Sequence, residues 1–273
     1  MYSYRTERYR QKREIGMKVV ILAGGLGTRI MEESQYRPKP MVEIGGMPIL
    51  WHIMKIYSCY GYNEFIICAG YKQHVIKEFF ANYYMHRCDV TFDYTSGDGI
   101  VTEYHGEEPW KVTVADTGYL TMTGGRIKRI QKYIQDEPFM MTYGDGVCDV
   151  DIGKLVETHR RYGKIATITT VEQDQTKGVL DVGKEGFVKS FREKQKKDVS
   201  IINAGYMVLQ PEIFDYLEDD RTVFEQEPLQ RLAEEGQLMS YFHKGFWQCM
   251  DSIKEEWYLD SLWKSQQAPW KIW

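Results

Sequence analysis

The sequence has few cysteines, and they stand far apart. There are five of them in 273 residues, Cys59, Cys68, Cys88, Cys148 and Cys249. No two form a CxxC pair, which excludes a zinc ribbon or a thioredoxin-like motif built on such a pair. An odd number of widely spaced cysteines is typical of free thiols in a reducing compartment, so we expect a cytoplasmic protein.

Long apolar runs and an excess of positive charge are also missing. No apolar run approaches the roughly 20 residues that a membrane-spanning helix needs, and residues 1–16 lack the apolar core of a secretory signal. The formal net charge is −4, which argues against nucleic-acid binding, because that binding is driven by clustered basic side chains. We therefore expect small-molecule partners, and neither nucleic acid nor membrane.

Residues 1–16 differ from the rest of the chain, because basic side chains alternate there with tyrosines. This pattern is compatible with contact to RNA or a membrane, but a disordered or arm-like extension explains it more simply. Met17 begins a short, mostly apolar run that is typical of a buried strand. We therefore expect an extension over residues 1–16 and a single domain over residues 17–273.

From Met17 onward, strand and helix patterns alternate. This predicts an α/β fold with a Rossmann-like, doubly wound, mixed and mostly parallel sheet. Strands are predicted at residues 18–22, 64–68, 139–143, 165–170, 201–209 and 240–243, and helices at residues 48–60, 71–85, 126–134, 151–162, 225–235 and 253–264. A β-hairpin flap is expected near residues 89–120, and a second hairpin, forming a small lobe, near residues 178–191.

The first strand leads into a glycine-rich loop, residues 22–29 (LAGGLGTR). Glycines allow a backbone to approach phosphate closely and to point N–H groups at it. The loop has no Walker lysine, and Ile30 stands where a dinucleotide fingerprint needs its third glycine. A tight strand-to-helix turn would use the same glycines, so the loop alone leaves a purely structural role open.

Two aspartates are candidate metal ligands. Asp145 lies between Gly144 and Gly146 directly after the predicted strand at 139–143, where open α/β sheets bind ligands. An isolated Gly-Asp-Gly is more often a turn. Asp251 precedes the predicted terminal helix, where it is also compatible with a helix cap.

Several separate segments resemble the sugar-1-phosphate nucleotidyltransferases. The glycine-rich loop and PKPM (38–41) carry the resemblance. It extends to the members that use CTP and glucose-1-phosphate through GMPILWHIMKIYS (46–58), DTG (116–118), MTGGR (122–126), TYGDG (142–146), EQEPL (225–229) and APWKIW (268–273). The likeness covers essentially the whole chain from Met17 onward.

This resemblance implies an activity and a setting. It implies the nucleotide-diphospho-sugar transferase type of fold and transfer of a cytidylyl group from CTP to α-D-glucose-1-phosphate, giving CDP-glucose and pyrophosphate, with Mg²⁺ as cofactor. It also implies a homo-oligomer, specifically a hexamer, and a role in supplying CDP-linked deoxysugars for bacterial surface polysaccharide such as O-antigen.

The resemblance further assigns roles to residues of this chain. It implies catalytic roles for Arg29, Lys39, Asp145 and Lys194, Mg²⁺ ligation by Asp145 and Asp251, and sugar-phosphate binding by Glu193, Lys194 and Asn203. The implied nucleotide-binding residues are Leu22, Ala23, Gly24, Gly25, Leu26, Gly27, Thr28, Arg29, Lys39, Thr121, Arg126 and Gly144.

The chain departs from the family pattern mainly on the sugar side. Gln195 replaces a proline after Lys194 and frees the backbone there, and Lys177 begins another divergent stretch. Ala204 and Cys249 stand in place of a glycine and a proline. Another nucleotide such as UTP or dTTP, another sugar phosphate, and a non-catalytic sugar-nucleotide sensor therefore remain as alternatives.

Overall fold

The structure is a computed structural model that describes residues 16–25, 37–85, 87–92, 95, 101–102, 108–174, 179–182, 188–192 and 199–273. Its strands are β1 (Val19–Ala23), β2 (Glu43–Ile44), β3 (Met47–Pro48), β4 (Glu64–Ala69), β5 (Val90–Thr91), β6 (Val101–Thr102), β7 (Lys111–Asp116), β8 (Phe139–Tyr143), β9 (Gly146–Cys148), β10 (Ala166–Asp174), β11 (Val179–Val182), β12 (Val188–Arg192), β13 (Val199–Leu209), β14 (Leu238–Phe242) and β15 (Trp247–Cys249). Its helices are α1 (Ile49–Cys59), α2 (Gln73–Ala81), α3 (Thr123–Arg129), α4 (Gln131–Ile134), α5 (Ile152–Tyr162), α6 (Glu227–Glu234) and α7 (Ile253–Lys264), with 3₁₀ helices at Lys39–Met41 and Pro211–Tyr216.

Seven strands form the central sheet, in the order β14-β10-β13-β8-β1-β4-β7. Strand β13 runs antiparallel to both of its neighbours, and the other pairings are parallel. The predicted mixed, mostly parallel α/β sheet is therefore confirmed. All five residues of β1 are buried, as expected for a central parallel strand with both faces covered.

The core has two parts, one on each face of the sheet. Because side chains alternate along a strand, Val19 and Ile21 of β1 join the cluster that contains α1, whereas Val20 and Leu22 join the cluster that contains Ile127 of α3. Helices thus cover both faces of the sheet and leave its carboxyl edge to the loops.

The predicted flap at residues 89–120 is correct only in part. Strands β5 and β6 pair antiparallel as a small two-stranded sheet, but β7 pairs parallel with β4 and forms an edge of the central sheet. The prediction was wrong for β7 because an edge strand with one half-covered face shows the same alternation as a hairpin strand. The hairpin predicted near residues 178–191 is confirmed as β11 and β12.

Two further short strand pairs were not predicted from the sequence. Strands β2 and β3 form a tight hairpin before α1. Strands β9 and β15 pair antiparallel although about a hundred residues separate them, with Cys249 opposite Gly146. In addition, the backbone N–H of Met250 donates to the carbonyl of Asp145 at 2.8 Å. This second pairing brings the segment before α7 to the end of β8.

The extension predicted over residues 1–16 lies outside the described residues except for Gly16. Within the described ranges, no helix is both long and apolar enough to cross a membrane.

Candidate active site

A pocket of about 440 Å³ opens at the carboxyl edge of the central sheet. The ends of β1 and β8 form its floor, and the segment between β7 and α3 forms one wall. Its lining residues are Leu22, Ala23, Gly24, Gly25, Lys39, Pro40, Tyr119, Leu120, Thr121, Met122, Thr123, Arg126, Tyr143, Gly144 and Asp145. The pocket therefore lies where open α/β sheets bind ligands.

Lys39 bridges the two predicted metal ligands. Its Nζ lies 2.6 Å from Asp145 Oδ2 and 2.6 Å from Asp251 Oδ1. Although burial lowers the pKa of Lys39, the charge of Asp145 and the hydrogen bonds to both carboxylates outweigh it, so the pKa lies above its ordinary value. The lysine is thus a fixed cation, and the structure brings three predicted site residues together.

Asp251 is not a helix cap. The N-cap of α7 is Ser252, and the backbone N–H of Asp251 donates to Glu255 Oε2 at 2.6 Å. This return contact from the first turn of α7 resembles a capping-box contact. It leaves the Asp251 carboxylate directed toward Lys39 and Asp145.

Cys249 is a neighbour of the carboxylates that the sequence did not identify as a site residue. Its Sγ donates to Asp251 Oδ2 at 3.0 Å. Burial, together with the nearby Asp145 charge and the hydrogen bond to Asp251, raises the pKa of the Cys249 thiol. Two features of the sequence point to it: its position two residues before Asp251, and its departure from the proline of the family pattern.

Arg126 connects the ends of three strands. Its side chain is buried and donates to the carbonyl of Gly24 after β1 at 2.8 Å, and to Thr117 Oγ1 and the carbonyl of Gly118 after β7 at 2.8 Å each. A longer contact of 3.4 Å reaches the carbonyl of Ala69 in β4. Since these acceptors lie on separate segments, Arg126 sets the shape of this wall of the pocket.

Two predicted nucleotide-binding glycines allow close approach. A Cβ on Gly24 would lie 2.1 Å from Arg126 Nη1, so this position must lack a side chain for the guanidinium to reach the loop. A Cβ on Gly144 would lie 2.9 Å from both the Leu22 carbonyl and Pro40 Cγ. Thr121 is buried in the pocket wall nearby.

Glu225 links the start of α3 to the end of β8. Its carboxylate accepts from the Tyr143 hydroxyl at 2.5 Å and from Thr123 Oγ1 at 2.6 Å. The predicted sugar-side residue Asn203 lies on β13, where its Oδ1 accepts from the Gly205 N–H at 2.8 Å. A Cβ on Gly205 would meet the Tyr143 ring at 2.5 Å, and the Asn203 side chain hydrogen-bonds to the same tyrosine, which lines the pocket.

The remaining predicted site residues lie outside the described residues. These are Leu26, Gly27, Thr28 and Arg29 of the glycine-rich loop, and Glu193 and Lys194 of the predicted sugar-phosphate site.

Comparison with known proteins shows which family the chain belongs to. The family model described as nucleotidyl transferase matches residues 18–263. The chain belongs to this family. The family resemblance predicted from the sequence is therefore confirmed.

Individual relatives of this nucleotidyl transferase cover nearly the whole chain. It is similar to the glucose-1-phosphate cytidylyltransferase of Salmonella typhimurium, with 52% identity over 258 residues that cover 94% of this chain and 100% of the relative. It is also similar to a probable glucose-1-phosphate cytidylyltransferase of Bacillus subtilis, with 45% identity over 258 residues and the same coverage.

Solved structures confirm the fold. The crystal structure of HddC from Yersinia pseudotuberculosis is similar at a TM-score of 0.67 and 27% identity, covering 90% of this chain and 99% of that one. An apo UDP-glucose pyrophosphorylase reaches a TM-score of 0.66 at 16% identity, covering 92% and 99%, and supports the fold alone.

Proposed function

We propose that the protein transfers a cytidylyl group from CTP to α-D-glucose-1-phosphate, giving CDP-glucose and pyrophosphate. The observation that carries the proposal is the 52% identity to the Salmonella glucose-1-phosphate cytidylyltransferase, which spans that relative's full length. The arrangement of Lys39, Asp145 and Asp251 supports it, because the reaction brings two anions together and needs fixed positive charge between them.

The nucleotide occupies the pocket at the ends of β1 and β8 in this proposal. Backbone groups of Gly24, Gly25 and Gly144 lie at its floor, and Thr121 is buried in its wall. Arg126 shapes the wall, because its donors are directed at carbonyl oxygens of the surrounding loops. Base selection would then depend on the backbone that Arg126 holds in place.

Asp145 and Asp251 are the proposed ligands of Mg²⁺. They fit this role on a direct observation, since together they hold one ammonium group at 2.6 Å from each carboxylate. Their side chains are 28% and 36% exposed, which leaves access for the water and phosphate oxygens that Mg²⁺ also takes as ligands. When bound, Mg²⁺ supplies charge neutralisation to the phosphates of the nucleotide.

Lys39 is the proposed cation for the reacting phosphates. Its side chain is only 13% exposed and lies on the pocket wall beside Pro40. A raised pKa keeps it protonated at neutral pH, so it acts by charge and not by proton transfer. On the sugar side, Tyr143 lines the pocket and Asn203 hydrogen-bonds to this tyrosine, and the family resemblance adds Glu193 and Lys194.

The compartment, the oligomeric state and the metabolic role are supported by the family resemblance alone. We propose that the protein works in the cytoplasm as a homo-oligomer, specifically a hexamer, and supplies CDP-linked deoxysugars for surface polysaccharide.

Substrate choice can be tested by pyrophosphate release with Mg²⁺ and glucose-1-phosphate, using CTP, UTP, dTTP and ATP in turn. We expect kcat/KM to be highest with CTP by about 100-fold or more, the size of a discrimination based on hydrogen bonds. Preference for another nucleotide would correct the base. If nucleotide and sugar phosphate bind but no pyrophosphate forms with any of the four, the protein is a sensor and the proposal is wrong.

A further inference from the structure

The thiol of Cys249 lies beside the two carboxylates of the proposed metal site. The ligand atoms of Asp145, Cys249 and Asp251 all lie within 4.8 Å of one another. Strand pairing fixes this position, because Cys249 of β15 stands opposite Gly146, next to Asp145. The Lys39 ammonium between the carboxylates is a second observation, since it shows that a cation fits at this point.

This set of ligands suits softer metals than Mg²⁺. Mg²⁺ takes oxygen ligands in octahedral geometry and keeps several waters, so a thiol adds nothing to its binding. Zn²⁺ and Co²⁺ accept thiolate together with carboxylate in tetrahedral sites. Bonds of about 2.0–2.3 Å place the ligand atoms of such a site roughly 3.3–3.8 Å apart, which small side-chain rotations would reach from the observed separations.

We propose that Asp145, Asp251 and Cys249 bind a thiophilic divalent cation such as Zn²⁺ or Co²⁺, at the position that the proposed function gives to Mg²⁺ and in competition with it. The inference rests on that assignment of the two carboxylates. When the metal–sulfur bond forms, the S–H bond breaks and its proton passes to solvent. Lys39 keeps its proton and turns away from the carboxylates, and no group is oxidised or reduced.

A second group of possible metal ligands serves as a comparison. Cys148, Asp149 and His243 also place their ligand atoms within 4.8 Å of one another. Here His243 Nε2 lies 2.9 Å from Asp149 Oδ1, and Cys148 is fully buried, so this group is the competing explanation for a cobalt–sulfur band. Substituting Cys148 therefore separates the two clusters experimentally.

The experiment is a titration of the full chain with Co²⁺, without Mg²⁺ or nucleotide, followed by absorption spectroscopy. A thiolate ligand gives a near-ultraviolet sulfur-to-cobalt charge-transfer band. We expect the wild-type protein to show it, and Cys249→Ser and Cys249→Ala to lose it and bind Co²⁺ at least about tenfold more weakly. Cys59→Ser, at the exposed end of α1, is the matched control that keeps the band.

Mn²⁺ binding, followed by electron paramagnetic resonance, shows whether the carboxylates stay intact in these variants. Because Mn²⁺ prefers oxygen ligands, its affinity should change by less than about twofold in Cys249→Ser. A band that survives both Cys249 variants, or that disappears only in Cys148→Ser, overturns the proposal. Unchanged Co²⁺ and Mn²⁺ binding in Asp145→Asn would instead refute the carboxylate site of the proposed function, which keeps the two failures distinct.

Discussion

The ammonium group of Lys39 donates a 2.6 Å hydrogen bond to the carboxylate of Asp145. The two residues are 106 positions apart in the chain; Lys39 begins a 3₁₀ helix, and Asp145 follows the end of β8. A second 2.6 Å bond to Asp251 completes the arrangement. The same lysine therefore neutralises the carboxylates before substrate binds and lies close enough to turn toward phosphates afterwards.

Replacing Lys39 by methionine should separate these two roles. Without the ammonium of Lys39, a metal ion no longer has to displace a protein cation from the two carboxylates. Mn²⁺ affinity in the absence of nucleotide should therefore rise by about tenfold, the size expected for lost charge-assisted hydrogen bonds. The value of kcat should fall by about 100-fold or more, because the reacting phosphates lose a fixed cation. Electron paramagnetic resonance and a pyrophosphate assay measure the two effects. A fall in both metal affinity and kcat would contradict the competition.

Asp145→Asn should remove most metal-dependent turnover without unfolding the protein. The side chain is partly exposed, so its loss affects charge more than packing. We expect kcat to fall by about 100-fold or more. Asp149→Asn is the matched control, because Asp149 lies four residues further along but pairs with His243. Equal activity losses in both variants would show that the effect does not come from the proposed metal site.

Gly24→Ala should destabilise the end of β1. The added Cβ would lie 2.1 Å from Arg126 Nη1, so the guanidinium must move from the carbonyls it holds. We expect a loss of about 2 kcal/mol in the free energy of unfolding and a higher KM for CTP. At Gly25, a Cβ would meet no described atom within 4 Å, so Gly25→Ala should change the unfolding free energy by less than about 0.5 kcal/mol. Urea unfolding compares the two, and equal losses would exclude the Arg126 contact as the cause.

His52 should make the stability of the protein depend on pH. Burial lowers its pKa from 6.5 to about 4. The surroundings suit the neutral ring, because Nε2 lies 2.8 Å from the Ile44 carbonyl and Nδ1 accepts from the Trp270 indole N–H at 3.4 Å. Because the folded pKa is depressed, the unfolded chain binds the proton first. The stabilisation is full above about pH 6.5 and is lost as the pH falls toward 4, by about 3 kcal/mol.

Urea unfolding between about pH 7 and pH 4 tests this dependence. His52→Gln should flatten the fall in unfolding free energy over this interval, although His159, whose pKa burial also lowers to about 4, contributes a slope of its own. His74→Gln, on the exposed face of α2, should leave the wild-type slope in place. If His52→Gln keeps the full slope as well, the buried ring is not responsible.

The sequence predicted those elements whose signals are local. The apolar runs of β1 and β8 gave buried strands close to their true bounds. Helix α5 was predicted at residues 151–162 and spans Ile152–Tyr162, where Asp151 caps its first turn and Gly163 adopts a left-handed conformation after its end. These features depend only on neighbouring residues.

The site was less accessible to sequence reasoning, because long-range pairing builds it. Strands β9 and β15 have three residues each, which is too short for a periodic signal, yet their pairing places Asp251 and Cys249 beside Asp145. Arg126 was predicted as a nucleotide contact, whereas its bonds to loop carbonyls became visible only in three dimensions. The resemblance assigned roles to these residues, and only the structure showed their contacts with one another.

The most direct test of the account is product analysis with CTP and carbon-labelled glucose-1-phosphate, by mass spectrometry. We expect labelled CDP-glucose and an equal amount of pyrophosphate, both abolished by a chelator and restored by added Mg²⁺. Release of CMP without a labelled sugar nucleotide, or product formation that survives complete removal of divalent metal, would contradict it.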